Sequence, residues 1–373
     1  MEYMICSRCI MDTSDAEIIF DDQGVCNHCL RYDVLKDTRT IPRENAAKEM
    51  KLLIDKIKRR GKGKEYDCIV GVSGGVDSTY VAYLAKINGL KPLAVHLDNG
   101  WNSDLATKNI HKVLKKMDID LVTHVIDWNE FKDLQKSFLD ASVPDGEIPT
   151  DHAIDAILWK TAGKYNIKFI LSGMNFATVS LSVPAWAYGH SDWKYIKAVH
   201  KKFRNSSLSS YPHFGFMYLF YINFVKNVRI ASLLNYIDYD KSETIKLLER
   251  ELDWVSYGGK HYESIYTRFY QGYVLPEKFN IDKRRGHLSD LVNSEQITRT
   301  EALLEIEEPA LSKNMLRDDK KFVIKKLDYT EKSFEKMLSS KNRTFREYPN
   351  SYSFVQFLRR LVNMLRKFDL YPK

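Results

Sequence analysis

The stretch Val70-Gly71-Val72-Ser73-Gly74-Gly75-Val76-Asp77-Ser78-Thr79 constrains this chain more than any other, because it reads as strand, tight turn and helix start in immediate succession. Cys68, Ile69, Val70 and Val72 form a short run suited to a strand buried in a parallel sheet. Gly74 and Gly75 let the backbone turn sharply and approach a ligand closely. Behind them Tyr80, Val81, Tyr83, Leu84 and Ile87 recur at helical spacing. Unpaired N–H groups and the positive end of a helix dipole therefore face the turn, which makes it an anion site. The spacing excludes both G-x-x-x-x-G-K-[ST] and G-x-G-x-x-G.

The rest of the chain's first half is consistent with such a turn. Glu44 to Arg60 carries a helical apolar stripe and ends in the breaker Gly61-Lys62-Gly63-Lys64. Strand patterns at Cys68 to Val72, Pro92 to Leu97, Leu121 to Ile126 and Phe169 to Leu171 then alternate with helical ones. The expectation is an α/β fold, an open parallel sheet with helices on both faces, whose ligands bind at the carboxyl ends of the strands. Two of those ends carry polar residues, His96-Leu97-Asp98-Asn99-Gly100-Trp101 and Leu171-Ser172-Gly173-Met174-Asn175. Either set could instead be turn and cap residues.

Four of the five cysteines fall in two C-x-x-C pairs, Cys6/Cys9 and Cys26/Cys29, separated by sixteen residues. That is zinc-ribbon spacing, and four thiolates leave no open coordination position, so a structural zinc is expected, with His28 as a substitute ligand. Cys68 is expected to be a small core residue. The formal charge of +8 suits nucleotide or sugar-nucleotide ligands as well as nucleic acid and does not choose between them. No apolar run reaches membrane-spanning length, and the Cys-rich polar N-terminal stretch lacks the apolar core of a signal peptide, so a cytoplasmic protein is expected.

Four segments are expected: a cysteine module over 1–45, a nucleotide-binding α/β domain over 46–200, an aromatic-rich insertion over 201–256 and a helical C-terminal region over 257–373. In the insertion, Phe214 to Val225 reads as a buried helix or a protein contact, with membrane-surface attachment as the alternative. The last segment opens with Tyr257-Gly258-Gly259-Lys260-His261-Tyr262-Glu263-Ser264 and continues to Asp282-Lys283-Arg284-Arg285-Gly286-His287-Leu288. Glycines, histidines, a glutamate and adjacent cations offer proton-transfer groups and anion ligands together.

The string Ser-Gly-Gly-Val-Asp-Ser-Thr resembles the PP-loop of the ATP pyrophosphatase superfamily, whose members split ATP between its α and β phosphates and adenylate a carbonyl oxygen. With the two cysteine pairs, His-Leu-Asp-Asn-Gly-Trp, Leu-Ser-Gly-Met-Asn and the C-terminal block, nearly the whole chain resembles the N-acetyl sugar amidotransferases of bacterial surface-polysaccharide (O-antigen) synthesis. The resemblance implies a HUP-like fold and conversion of an acetamido group on a nucleotide-activated sugar into an acetamidino group. It implies ATP and Mg2+ at Ser73, Gly74, Gly75, Asp77, Ser78 and Thr79, with His96, Asp98, Gly173 and Asn175 lining the nucleotide pocket. Asp77, Lys260, His261, Glu263 and Arg284 become the catalytic candidates, and Lys283, Arg284, Arg285 and His287 the substrate-binding ones. Ammonia would come from a separate glutaminase through a subunit similar to those of imidazole glycerol phosphate synthase, because no cysteine here is placed as a glutaminase nucleophile. Asn175-Phe176-Ala177-Thr178-Val179-Ser180 departs from the pattern, lacking an acidic residue after the Ala-Thr pair. Two other readings stay open: a PP-loop enzyme adenylating a tRNA base, and a zinc-dependent scaffold.

Overall fold

The computed structural model describes residues 2–181, 183–204, 206–259 and 262–367. The cysteine module comes first, its two knuckles closed by antiparallel bridges pairing Ile5 with Asp12 and Phe20 with Cys26. Helices α1 (Asn27–Arg39) and α2 (Arg43–Gly61) lead from it to the sheet.

Five parallel strands make that sheet: β1 (Cys68–Gly71), β2 (Pro92–Asp98), β3 (Leu121–Val125), β4 (Phe169–Leu171) and β5 (Arg229–Ala231), in the order β3-β2-β1-β4-β5. Helices α3 (Val76–Ile87), α4 (Asp104–Lys116), α5 (Trp128–Asp140), α6 (Ile148–Lys164) and α7 (Trp193–Phe203) follow the first four strands. Ser103 and Asp127 start α4 and α5 by accepting hydrogen bonds from the first free backbone N–H groups. The unbroken apolar character of β1 has a simple cause. Ile69 packs with Leu93, Ile170 and the α5–α6 side, while Cys68 and Val70 pack with Ala94, Leu171 and the α2–α3 side. Both faces of the strand are buried, so neither can be polar.

Two expectations change here. The sheet does not stop at four strands: Arg229–Ala231 pairs with Phe169–Leu171 and forms an edge. Its short span and exposed Arg229 and Ile230 gave no strand signal. Nor is the aromatic stretch a buried helix. Helix α8 (Phe216–Phe220) continues as one π-helical turn through Val225, turning Ile222 inward while Met217, Phe220 and Phe224 stay exposed.

Beyond α9 (Lys241–Leu252) the chain is helical. Helix α10 (Ile265–Phe269) runs through a π turn into α11 (Leu275–Phe279), followed by α12 (Lys283–Asn293), α13 (Arg299–Glu307), α14 (Lys313–Lys326), α15 (Glu331–Ser339) and α16 (Tyr352–Lys367). This region is tied to the strand ends by backbone pairing: Ser103 N donates to Glu263 O and Ile265 N to Trp101 O, each at 2.9 Å. Trp101 is fully buried at the joint, its Nε1 donating to Gln135 Oε1 at 2.6 Å.

Candidate functional site

The turn after β1 lies beside the end of β4, where the chain switches from building the sheet leftward to building it rightward, the usual place for a ligand crevice. Gly74 has φ +85, and a Cβ there would stand 2.9 Å from Tyr257 Oη and 3.0 Å from Ala106 O. No residue with a side chain fits without displacing one of them. The Gly74 carbonyl accepts from both Trp254 Nε1 and Tyr257 Oη at 2.8 Å, which fixes the peptide's direction. Burial pushes the Tyr257 hydroxyl up to about 12, keeping it a donor. Ser73 and Ser78 brace the turn, their Oγ atoms 3.2 Å apart. A Cβ at Gly173, after β4, would come within 3.2 Å of the Asp77 and Ser78 backbone, so a glycine there lets the end of β4 approach the start of α3.

This turn forms one wall of a cleft of about 740 Å³. Ser73, Gly75, Asp77, Ser78 and Gly173 line that wall, and Glu263, Arg268, Lys283, Arg284 and His287 line the other. Glu263 reaches across toward the turn, its Oε1 3.4 Å from the position of a Cβ on Gly75. Asp77 accepts a hydrogen bond from Tyr239 Oη. Burial, and then the Asp77 charge, push that phenol's pKa well up and keep it protonated.

The cations of the far wall are held by named partners. Arg268 makes two 2.7 Å bonds to Asp319. Lys283 pairs with Glu147 at 2.7 Å, and Gln271 donates to the same carboxylate. Burial pulls Lys283 toward neutrality, but Glu147 outweighs it and the ammonium stays charged. Arg284 spans Asp282 and the carbonyl of Glu308, closing the end of α13.

Other sequence-predicted residues lie apart from the cleft. His96 is buried beneath the loop, its Nδ1 2.8 Å from Val72 O and its Nε2 3.0 Å from Asn102 Nδ2. Burial lowers its pKa, so it is a neutral prop under the turn. Asp98 accepts from Gly100 N, and Asn175 accepts from Thr178 N, both as turn formers. Thr79 is buried in the first turn of α3. Arg285 points to the opposite side of α12, reaching Asp12 and Ile10 O of the cysteine module. Lys260 and His261 lie outside the described residues. In the 175–180 segment a carboxylate is present after all, delivered from α12: Asp290 accepts from the N–H groups of Ser180 and Leu181.

The four N-terminal cysteines converge, their sulfur atoms all within 4.8 Å of one another. Separations of 3.9 Å (Cys6–Cys29), 3.6 Å (Cys9–Cys26) and 3.7 Å (Cys26–Cys29) match the ~3.8 Å edge of a thiolate tetrahedron built on ~2.3 Å metal bonds. Backbone N–H groups of Cys9, Met11 and Cys26 point at the sulfurs, as suits thiolates. Asn293 Nδ2 is buried without a partner while its Oδ1 sits 3.4 Å from Cys29 Sγ. A thiolate there would be met by the amide turned end for end, its N–H aimed at sulfur. His28 is engaged elsewhere, with Nε2 2.6 Å from Asp15 Oδ2. Cys68 is buried in β1, and burial pushes its thiol pKa well up, which makes it a poor nucleophile.

Arg268, which falls in the C-terminal functional cluster of the sequence with Phe269 and Tyr270, does line the cleft, while sequence reasoning gave no role to Glu147, Trp254, Tyr239 or Asp319. Each acts by converging on the cleft from a distant segment, and none sits in a local pattern that could reveal it.

Loop, parallel sheet and strand-end crevice together give a PP-loop-like fold. Residues 67–182 match the queuosine biosynthesis protein QueC family, and residues 263–362 match the family described as LPS biosynthesis protein WbpG-like, C-terminal domain. The chain thus joins a QueC-like region of the PP-loop type to a WbpG-like C-terminal region. No curated protein matches it. Solved structures similar to it include the NH3-dependent NAD synthetase of Campylobacter jejuni, at 14% identity over 77% of this chain and 95% of that one with a TM-score of 0.32. The NMN synthetase of Francisella tularensis follows at 15% identity over 59% and 99%, with a TM-score of 0.30. At such scores these likenesses carry no argument about the reaction.

Proposed function

We propose that the protein is an ATP-dependent amidotransferase of lipopolysaccharide biosynthesis that turns an acetamido group on a nucleotide-activated sugar into an acetamidino group. The observation that carries this reading is the shared cleft: the phosphate-type turn and the cations of the WbpG-like region face one another across it.

An amide carbon is a poor target for ammonia until its oxygen can leave. In the proposed first step the amide oxygen attacks the α phosphorus of ATP, the bond to the β phosphate breaks, and pyrophosphate departs. Ammonia then adds to the imidate carbon, the C–O bond to AMP breaks, and one proton is given up. The N–H groups of the Gly74–Ser78 turn would hold the departing pyrophosphate. Asp77 would hold Mg2+, which supplies charge neutralisation on the phosphates. Arg284, Lys283 and Arg268 would take the sugar-nucleotide diphosphate, with Lys260 as a further cation. Glu263 or His261 would accept the proton. Cys6, Cys9, Cys26 and Cys29 would hold a structural Zn2+. Because ATP and nucleotide sugars are the substrates, the reaction belongs to the cytoplasm.

The test is AMP release by the purified chain with ATP, Mg2+ and ammonium, across a panel of acetamido-bearing nucleotide sugars. One sugar nucleotide should stimulate AMP release and yield an equal amount of amidine. Glutamine should serve only when a partner glutaminase is added. Stimulation by tRNA and by no sugar nucleotide would overturn the reading.

A further inference from the structure

We infer that the segment 216–225 together with helix α16 forms a surface that binds anionic lipid bilayers, a property separate from the proposed reaction. The segment lies on α6, with Tyr218 Oη and Ile222 Cδ1 each 3.5 Å from where a Cβ on Gly163 would stand. That contact fixes which side faces out. On the outer side Met217 is 82% exposed, Phe220 58%, Phe224 56% and Val225 65%.

Helix α16 extends this surface. Phe354 meets Phe216 edge to face, with ring centres 6.1 Å apart. Phe354, Phe357 and Met364 fall on one face of α16 at spacings of three and seven, and all are exposed. Isolated exposed apolar residues are ordinary, but a continuous patch of large ones drawn from two elements marks an interaction surface.

The charges choose the occupant. Residues 214–229 and 352–367 contain six basic residues (Lys226, Arg229, Arg359, Arg360, Arg366 and Lys367) and no acidic one. Arg229 and Arg360 are exposed. Aromatic and methionine side chains beside cations of a single sign are what an interfacial element needs: the apolar groups enter the acyl boundary while the cations meet phospholipid phosphates. No helix among the described residues is long and apolar enough to cross a membrane, so the contact is with one leaflet.

The experiment is co-sedimentation of the full chain with vesicles of phosphatidylcholine alone or mixed with phosphatidylglycerol. Binding should require phosphatidylglycerol and weaken as salt rises. The combined variant Phe220→Ser, Phe224→Ser and Phe357→Ser should weaken it by about tenfold or more, and Arg229→Glu with Arg360→Glu by a similar factor. Both variants should keep wild-type thermal unfolding, since these side chains are exposed. Fluorescence of the Phe224→Trp variant should be quenched by brominated lipid more than that of the native tryptophans. Three outcomes would overturn the inference: no binding to phosphatidylglycerol vesicles, binding that survives the serine variant, or sedimentation velocity showing a dimer that the serine variant dissolves, which would assign the surface to a second copy.

Discussion

The two walls of the cleft are built by opposite means. The loop wall is backbone: glycines at Gly74, Gly75 and Gly173, free N–H groups and a helix start, all within a few residues of a strand end. The α12 wall is side chain: Lys283 against Glu147, Arg284 against Asp282, Arg268 against Asp319, each partner drawn from elsewhere or from a cap. A backbone site tolerates almost no change of residue but depends on few partners. A side-chain site tolerates change one contact at a time but depends on many.

That contrast sets the order of the expected effects. Gly74→Val should be the most damaging, lowering AMP formation at least ~100-fold, because φ +85 and the 2.9 Å approach of Tyr257 leave its side chain no position. If that variant turns over normally, the loop wall is not the phosphate site. Chelation of the cysteine cluster should come next, melting the module and lowering the thermal midpoint, since binding energy at such a site is folding energy. Asn293→Ala should reproduce this in part as metal affinity weaker by ~10–100-fold, read by competition with a colorimetric chelator. Lys283→Met should cost about 2 kcal/mol of stability in urea, because Glu147 would be left largely buried without its counter-charge. Restoring stability with Glu147→Gln in the same chain would confirm that the unpaired carboxylate was the cause. Tyr257→Phe should have the smallest effect, about 1 kcal/mol or roughly fivefold in AMP formation, because Trp254 Nε1 still holds the Gly74 carbonyl. A Tyr257→Phe enzyme as impaired as the Gly74 variant would mean that the phenol acts on substrate and not on the loop.

The same contrast explains what could be read from the sequence. The loop, the first four strands and the cysteine cluster are local patterns, so spacing alone placed Gly74, Asp77 and the four thiols. Strand β5 was hidden because three residues with an exposed arginine carry no periodicity. Glu147 and Lys283 are 136 positions apart, and no local window contains both. Arg284 and Arg285 are neighbours in sequence, yet one helical step sends the first to the cleft and the second to Asp12 of the cysteine module. His96, Asp98 and Asn175 were polar strand ends in pattern, but their hydrogen bonds go to neighbouring turn and loop groups, His96 to Val72 O and Asn102, Asp98 to Gly100 N, and Asn175 to Thr178.

The seam between the cysteine module and α12–α13 has a consequence for how the protein is made. Ile10 N bonds Ser289 Oγ across 279 positions, and Arg299 reaches the carbonyls of Cys6 and Cys9. At ribosomal speeds of ~5–20 residues per second, the module leaves the exit tunnel roughly a quarter of a minute to a minute before the surface that covers it exists. For that interval Ile10, which has no exposure in the finished protein and packs there with Leu288 and Ala302, lacks the surface that covers it. An ion captured early would hold the knuckles closed and keep four thiols from oxidising during the wait. Supply of metal during translation, more than affinity in the mature protein, would then set the yield of folded chains.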